Sequence, residues 1–403
     1  MKNHNIPKLR YPEFTDAWEK WELGKIVNIV GGGTPDTNNA TYWNGNIDWY
    51  SPTEIGNEIY VSNSLKKISK LGLEKSSAKL LPAHKTILFT SRASIGDMAI
   101  LLKSSTTNQG FQSFVVDEEK ADIYFLYSLG FKIKHFALKN ATGSTFLEIS
   151  KKQLEKMEIS IPTLPEQQKI GNLFKQLDRL ITLHKRKWDD VILLKKALLQ
   201  KMFPKNGADF PEIRFPEFTD AWEKCKLGEV AEIYDGTHQT PNYKKSGIMF
   251  LSVENIETMI SDKFISEDDF KREFKTYPTS GDVLMTRIGD IGTVNIVNTN
   301  QRLAYYVSLA LLKPKLVLSE YLKPLIESDL IQKELWKRTL HVAFPKKINK
   351  GEIEEIPIIH PTLPEQQKIG TFFRRLDRLI TLHKRQHEHY QLLKKALLQQ
   401  MFV

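Results

Sequence analysis

The apolar residues of this chain fall into two kinds of pattern. Between Glu166 and Met202 they recur every seven residues, with Ile170, Leu177, Val191 and Leu198 on one line and Leu173, Leu180 and Leu194 on its neighbour. The same spacing returns between Glu365 and Met401 through Ile369, Leu376, Tyr390 and Leu397, beside Phe372, Leu379 and Leu393. A period of seven sustained over that length predicts a pair of long helices of the coiled-coil kind. Thr163-Leu164-Pro165-Glu166 fits a capping box, so the first helix is expected to start near Leu164, and the Pro and Gly of "FPKNG" after Met202 stop it. His184 and His383 interrupt the two seams. If the helices pair antiparallel, these residues meet at the crossing and set register; a metal site is disfavoured, because His387 is answered by Trp188 in the first copy.

Elsewhere the apolar runs are short. "KTILFTSRASIGDMAILLK" (85–103) predicts two strands around a polar turn, and "GDVLMTRIGDIGTVNIVN" (281–298) has the same form. "LAYYVSLALL" (303–312) predicts one buried strand that stops at Lys313 and Pro314.

The two helices close two longer repeats. "PTLPEQQKIG" occurs unchanged at 162–171 and 361–370, and residues 163–203 agree with 362–402 at 30 of 41 positions. Each half also opens alike, "RYPEFTDAWEKWELGKI" at 10–26 against "RFPEFTDAWEKCKLGEV" at 214–230, with 12 of 17 identical. The enclosed middles share little. Duplication alone leaves middles as similar as ends, so the ends are held to one task and the middles have diverged. The expected organisation is a first domain at 1–162, a helix at 163–203, a second domain at 204–361 and a second helix at 362–403. The expected fold class is α+β: two mixed α/β domains separated by an antiparallel two-helix coiled coil, with internal pseudo-twofold symmetry.

A composition of 41% hydrophobic and 26% charged residues is ordinary for a globular protein. No run is long enough for a membrane span, the first residues form no apolar signal core, and Cys225 is the only cysteine, so a cytoplasmic protein without membrane contact is expected. The net charge of +10 is the sum of the two repeated helices, each of which carries +5. That distribution points to a polyanion or an acidic protein as partner. The loops of the middles are rich in side chains that pair with base edges. In the first half the candidates are Thr34, Asp36 and Thr37 of "GGGTPDT", Arg92 and Ser94 of "SRASIG", Asn108 and Gln109 of "TTNQGF", and Ser144 and Thr145 of "GSTFLE". In the second they are His238, Gln239, Thr240 and Tyr243 of "DGTHQTPNY", Arg287 and Asp290 of "RIGDIG", and Lys346 and Lys347 of "HVAFPKK". Aligning the two strand turns on Ile95 and Ile291 places Arg92 and Arg287 near each other in the motif. The motifs GxxxxGK[ST], GxGxxG after a strand, HExxH and GxSxG are missing, as is the Asn-Pro-Pro-aromatic tetrapeptide of amino-methyltransferases. The chain reads as a binder with no catalytic, cofactor or metal residues of its own.

On "GGGTP", "SRASIG" and "GSTFLEISKKQLEKMEISIPTLPEQQKIG", with the alternation of variable and repeated regions, the chain resembles the specificity subunit of type I restriction-modification enzymes. The resemblance implies two domains that each read half of a bipartite, asymmetric target in double-stranded DNA, and repeated helices that dock two methyltransferase subunits. It also implies two restriction/translocase subunits in the complex, and it leaves S-adenosylmethionine, ATP and Mg to those partners. A non-catalytic coiled-coil scaffold with two protein-binding domains remains open on the residues alone. A transcriptional regulator is disfavoured, since no helix-turn-helix spacing is found.

Overall fold

The structure is a computed structural model that describes residues 5–143, 147–205 and 208–403. The long helices run over Leu164–Lys201 and Leu363–Met401, so both start where the heptads and the Thr-Leu-Pro-Glu signal place them. The chain divides into two compact units: residues 1–184 with 386–403, and residues 185–385. Each long helix therefore gives its first half to one unit and its second half to the other.

Strands of the first unit are β1 (Glu19–Glu22), β2 (Val27–Gly31), β3 (Trp43–Tyr50), β4 (Tyr60–Val61), β5 (Lys66–Ile68), β6 (Thr86–Phe89), β7 (Met98–Leu101), β8 (Thr106–Thr107), β9 (Gln112–Val116) and β10 (Glu158–Ile161). They form three sheets, ordered β2-β9-β6-β7-β4, β5-β3-β8 and β1-β10. The second unit contains β11 (Glu223–Lys226), β12 (Ala231–Asp235), β13 (Ile248–Leu251), β14 (Phe264–Ile265), β15 (Val283–Ile288), β16 (Asp290–Ile296), β17 (Leu303–Tyr305), β18 (Leu309–Pro314) and β19 (Pro357–His360). Their orders are β12-β18-β15-β16, β14-β13-β17 and β11-β19, the same plan without a counterpart of β4. The strand pairs predicted at 85–103 and 281–298 are β6–β7 and β15–β16. The single strand predicted at 303–312 is two, β17 and β18 in different sheets. Its unbroken apolarity arises because Leu303–Tyr305 and Leu309–Leu312 are all buried, each in its own sheet.

The repeated residues meet one another within each unit. Arg10 donates from Nε and Nη2 to the two carboxylate oxygens of Glu166 at 2.7 Å each, and the Trp18 indole N–H donates to the same group at 3.3 Å. Arg214 grips Glu365 in the same way at 2.8 Å twice. Glu166, expected to close a capping box, is thus turned into the protein to meet an arginine of the opening repeat. Its neighbour Gln167 is also buried; its amide accepts from the Asp122 N–H at 3.1 Å and donates to the Pro162 carbonyl at 2.9 Å. Gln366 repeats this with Leu318 and Pro361. Lys169 pairs with Glu13 and Lys368 with Glu217 at the surface.

Helix pairing is antiparallel inside each unit. In the first, Asp178 pairs with Lys394 at 2.6 Å, the His387 ring meets the Ile181 carbonyl, and His184 stacks on Tyr390. In the second, Lys195 bridges Glu327 at 2.6 Å and Asp377 at 2.7 Å, while Lys384 lies over Trp188. The Met-Phe that ends each repeat is a plug. Phe402 packs on Trp18, Phe125 and Phe174, and Phe203 packs on Trp222, Tyr321 and Phe373. These apolar contacts are central to the two main cores.

Candidate nucleic-acid interface

Four loops converge at one end of the first unit's sheets. The Gly33 N–H donates to the Thr107 carbonyl at 2.9 Å, which seats the 31–37 loop against the 107–111 loop, and the Asn108 N–H donates to the Tyr50 carbonyl at 3.0 Å, which ties the latter to the end of β3. A Cβ on Gly32 would stand 1.9 Å from the Asn108 carbonyl oxygen, so only glycine allows this approach. The Ser91 N–H donates to the Gly110 carbonyl at 2.8 Å and brings in the 91–96 turn. The Ile149 N–H donates to the Ser91 carbonyl at 3.0 Å and brings in Glu148, which bridges to Arg92 and Thr142. Beneath them Asp48, fully buried, accepts from Lys103 at 2.6 Å and from the Ser64 N–H at 3.1 Å, and pairs with Lys67. Burial pushes its carboxyl up, but those three donors outweigh it and hold the group below the usual range. The base of the cluster is thus fixed by an ionised, satisfied carboxylate.

The predicted residues of this unit distribute unevenly. The Thr34 hydroxyl donates to the Gln109 side chain, joining two of the loops. Asn108 spends its Oδ1 on the Gly110 N–H at 2.8 Å, and Asp36 spends its own on the Asn38 N–H at 2.9 Å. Ser94 lends its carbonyl to the Thr90 hydroxyl, and Thr37 is exposed. Arg92 is half-buried beside Gly110, and its guanidinium forms no ion pair among the described residues. Ser144 and Thr145 lie outside the described residues.

The second unit builds the same cluster from different side chains. Asp235 and Gly236 stand where Gly31 and Gly32 do, and a Cβ on Gly236 would stand 2.4 Å from the Tyr305 carbonyl oxygen. The Thr237 N–H donates to the Tyr305 carbonyl at 3.1 Å, and the Tyr306 N–H to the Leu251 carbonyl at 2.8 Å. The Ile348 N–H donates to the Arg287 carbonyl at 3.0 Å, as Ile149 does to Ser91. This equivalence agrees with the alignment on Ile95 and Ile291, which sets Arg287 opposite Ser91, one position from Arg92. Its side chain is 5% exposed, pairs with Asp235 and donates from Nε to the Ile348 carbonyl at 3.1 Å. Arg287 therefore braces the fold from a buried position. Asp290 likewise accepts from the Thr293 hydroxyl at 2.6 Å. His238, Gln239 and Thr240 are exposed beyond β12, and Tyr243 packs edge-on to Phe250 under Lys263. Lys346 and Lys347 are exposed and form no ion pair among the described residues.

With this geometry in place, the comparison with known proteins is decisive. The family described as the type I restriction modification DNA specificity domain matches residues 15–192 and 219–389. The chain belongs to that family. The MjaIX specificity subunit of Methanocaldococcus jannaschii is 30% identical over 272 residues, a match that spans 64% of this chain and 61% of that relative, less than two thirds of its length. The MjaVIII specificity subunit of the same organism is 23% identical over 420 residues, covering 98% of this chain and 95% of the relative. Among solved structures, the crystal structure of the type I restriction-modification S subunit from M. genitalium superposes with a TM-score of 0.61 at 15% identity over 99% of both chains. A structure from work on complex assembly and conformational transition of the type I system gives 0.52 at 19% identity, covering 96% of this chain and 98% of that one. At these identities the structures establish the shared fold. As a member of the family, the chain carries its DNA specificity domain twice.

Sequence reasoning missed residues of the second cluster. Val342 and Phe344 are fully exposed in the 340–347 loop, at 99% and 104%. Their signal was present in "HVAFPKK", where an apolar pair stands in a polar, basic stretch. Tyr306 was missed because its equivalence to Asn108 is carried by backbone hydrogen bonds alone.

Proposed function

We propose that this chain reads a bipartite, asymmetric sequence in double-stranded DNA, one half through each four-loop cluster, as part of a type I restriction-modification complex. The observation that supports this reading is one backbone framework used twice with unlike side chains at its surface. Shared hydrogen bonds keep the two clusters alike, while Gln109 and Arg92 in one are replaced by Val307 and Ile288 in the other. Two methyltransferase subunits dock on the long helices, and two restriction/translocase subunits complete the complex. Their docking surface is suggested by exposed leucines matched between the copies: Leu183, Leu392 and Leu393 in the first unit, and Leu382, Leu193 and Leu194 in the second. S-adenosylmethionine, ATP and Mg belong to those subunits. Among the described residues no group of three or more His, Cys, Asp or Glu is placed to hold a metal, and no helix is long and apolar enough to cross a membrane.

The test is binding of the complex, assembled with its modification subunits, to duplexes carrying the bipartite sequence mapped by methylome sequencing. Specific binding whose logarithm falls linearly with log salt is expected, because phosphate contacts release counterions. Binding that ignores the mapped sequence would overturn the reading.

A further inference from the structure

We propose that the 340–347 loop is a wedge that inserts Phe344 between base pairs of the half-site read by the second unit; this rests on the DNA-reading function above. The loop tip leaves Val342 and Phe344 wholly in water, while the loop itself is pinned at its base. The Leu340 N–H donates to the Lys347 carbonyl at 2.8 Å, the Gly289 N–H donates to the Lys346 carbonyl at 2.8 Å, and Lys347 bridges to Ile288 at the end of β15. Behind it, Arg287 ties Ile348 to Asp235, and the His341 ring packs on Trp336 at 4.8 Å. A side chain held out from such a rigid base is presented to something.

Charge identifies the occupant. No acidic residue lies between Trp336 and Lys347, and Lys346 and Lys347 directly follow the apolar tip without ion pairs among the described residues. An apolar wedge flanked by cations matches a base step between two phosphate strands, where an inserted ring unstacks the step and the lysines neutralise the backbone. The position agrees. In the first unit Glu148 bridges to Arg92 and to Thr142 as Lys347 bridges to Ile288 and to Leu340, so the base of the loop belongs to the cluster.

The experiment uses the assembled complex and duplexes carrying the mapped site, with 2-aminopurine placed at one position at a time, excluding the adenine to be methylated. The wild-type complex is expected to raise 2-aminopurine fluorescence at one step, within the half-site of the second unit. Phe344→Ala should abolish that rise while the complex still binds the site, and Phe344→Leu should keep part of it. Lys346→Ala with Lys347→Ala should weaken binding and flatten its salt dependence, yet leave the rise intact at saturation. An unchanged rise in Phe344→Ala, or specific wild-type binding with no rise in that half-site, overturns the wedge and leaves DNA reading standing. Failure of the wild-type complex to bind the mapped sequence overturns both. If Phe344→Ala instead releases a modification subunit with DNA binding and the rise intact, the loop is a protein contact and the proposal is wrong.

Discussion

Arg10 and Glu166 take two charges out of water, with side-chain exposures of 11% and 1%, and hold them because both carboxylate oxygens are met. Removing one partner leaves the other buried without its counter-charge. Arg10→Ala should destabilise the first unit by about 3–5 kcal/mol in chemical denaturation, since the buried carboxylate loses its charge partner and two donors and keeps only the Trp18 indole N–H. Glu13→Ala, which removes only the surface pair with Lys169, should leave the denaturation midpoint nearly unchanged in the same assay. At the interface, Arg92→Ala should lose about 1–3 kcal/mol at one base position if the free guanidinium reads a base edge. The measurement is binding of the assembled complex across single-base variants of its target; uniform weakening at every variant would make Arg92 a phosphate contact. The contrast with Arg287 marks the limit of legibility at this scale. Both arginines stand in similar sequence, but Asp235, 52 positions away, converts one of them into a buried brace.

Elements follow their local pattern more closely. The long helices were legible because seven-residue spacing over that length has no other outcome, and their start was legible from Thr163 and Pro165. What the pattern could not carry was the use of Glu166, since its arginine lies 156 residues earlier. The seam between the helices makes a pH prediction. Burial alone would raise the Asp377 carboxyl, but the ammonium groups of Lys323 and Lys195 outweigh it and hold the group below its ordinary value. A depressed carboxylate contributes stability that is complete above its unfolded value, about 3.9, and is lost as pH falls through the folded one. The melting temperature should therefore fall as the pH drops below about 4, and Asp377→Asn should lower it at neutral pH and flatten that acid limb. Lys195, pulled down by burial but raised further by Glu327 and Asp377, titrates above the ordinary lysine value, so its contribution persists through neutral pH. Thermal melts of both proteins across the acid range check this; parallel curves would show that the seam pair does not contribute.

At the scale of the whole chain, the repeats have two uses. Arg10 with Glu166, Gln167 with Pro162 and Phe402 with Trp18 are repeated because each unit needs the same socket, and each long helix plugs the socket of the unit that its other half does not start from. The buried half of "PTLPEQQKIG" is accounted for by this joint. The matched leucines at 183, 193, 194, 382, 392 and 393 remain exposed. The middles kept their backbone hydrogen bonds and changed their surface, which is why the fold was legible in the sequence and the equivalence of the loop residues was only partly so. The most direct test of this account replaces residues 27–149, which hold the first unit's four loops, with the matching region of a relative, and sequences the methylated adenines in cells that supply the other subunits. One half of the methylated sequence should change, and the other half should stay as it was. A change in both halves, or in neither, would contradict the account.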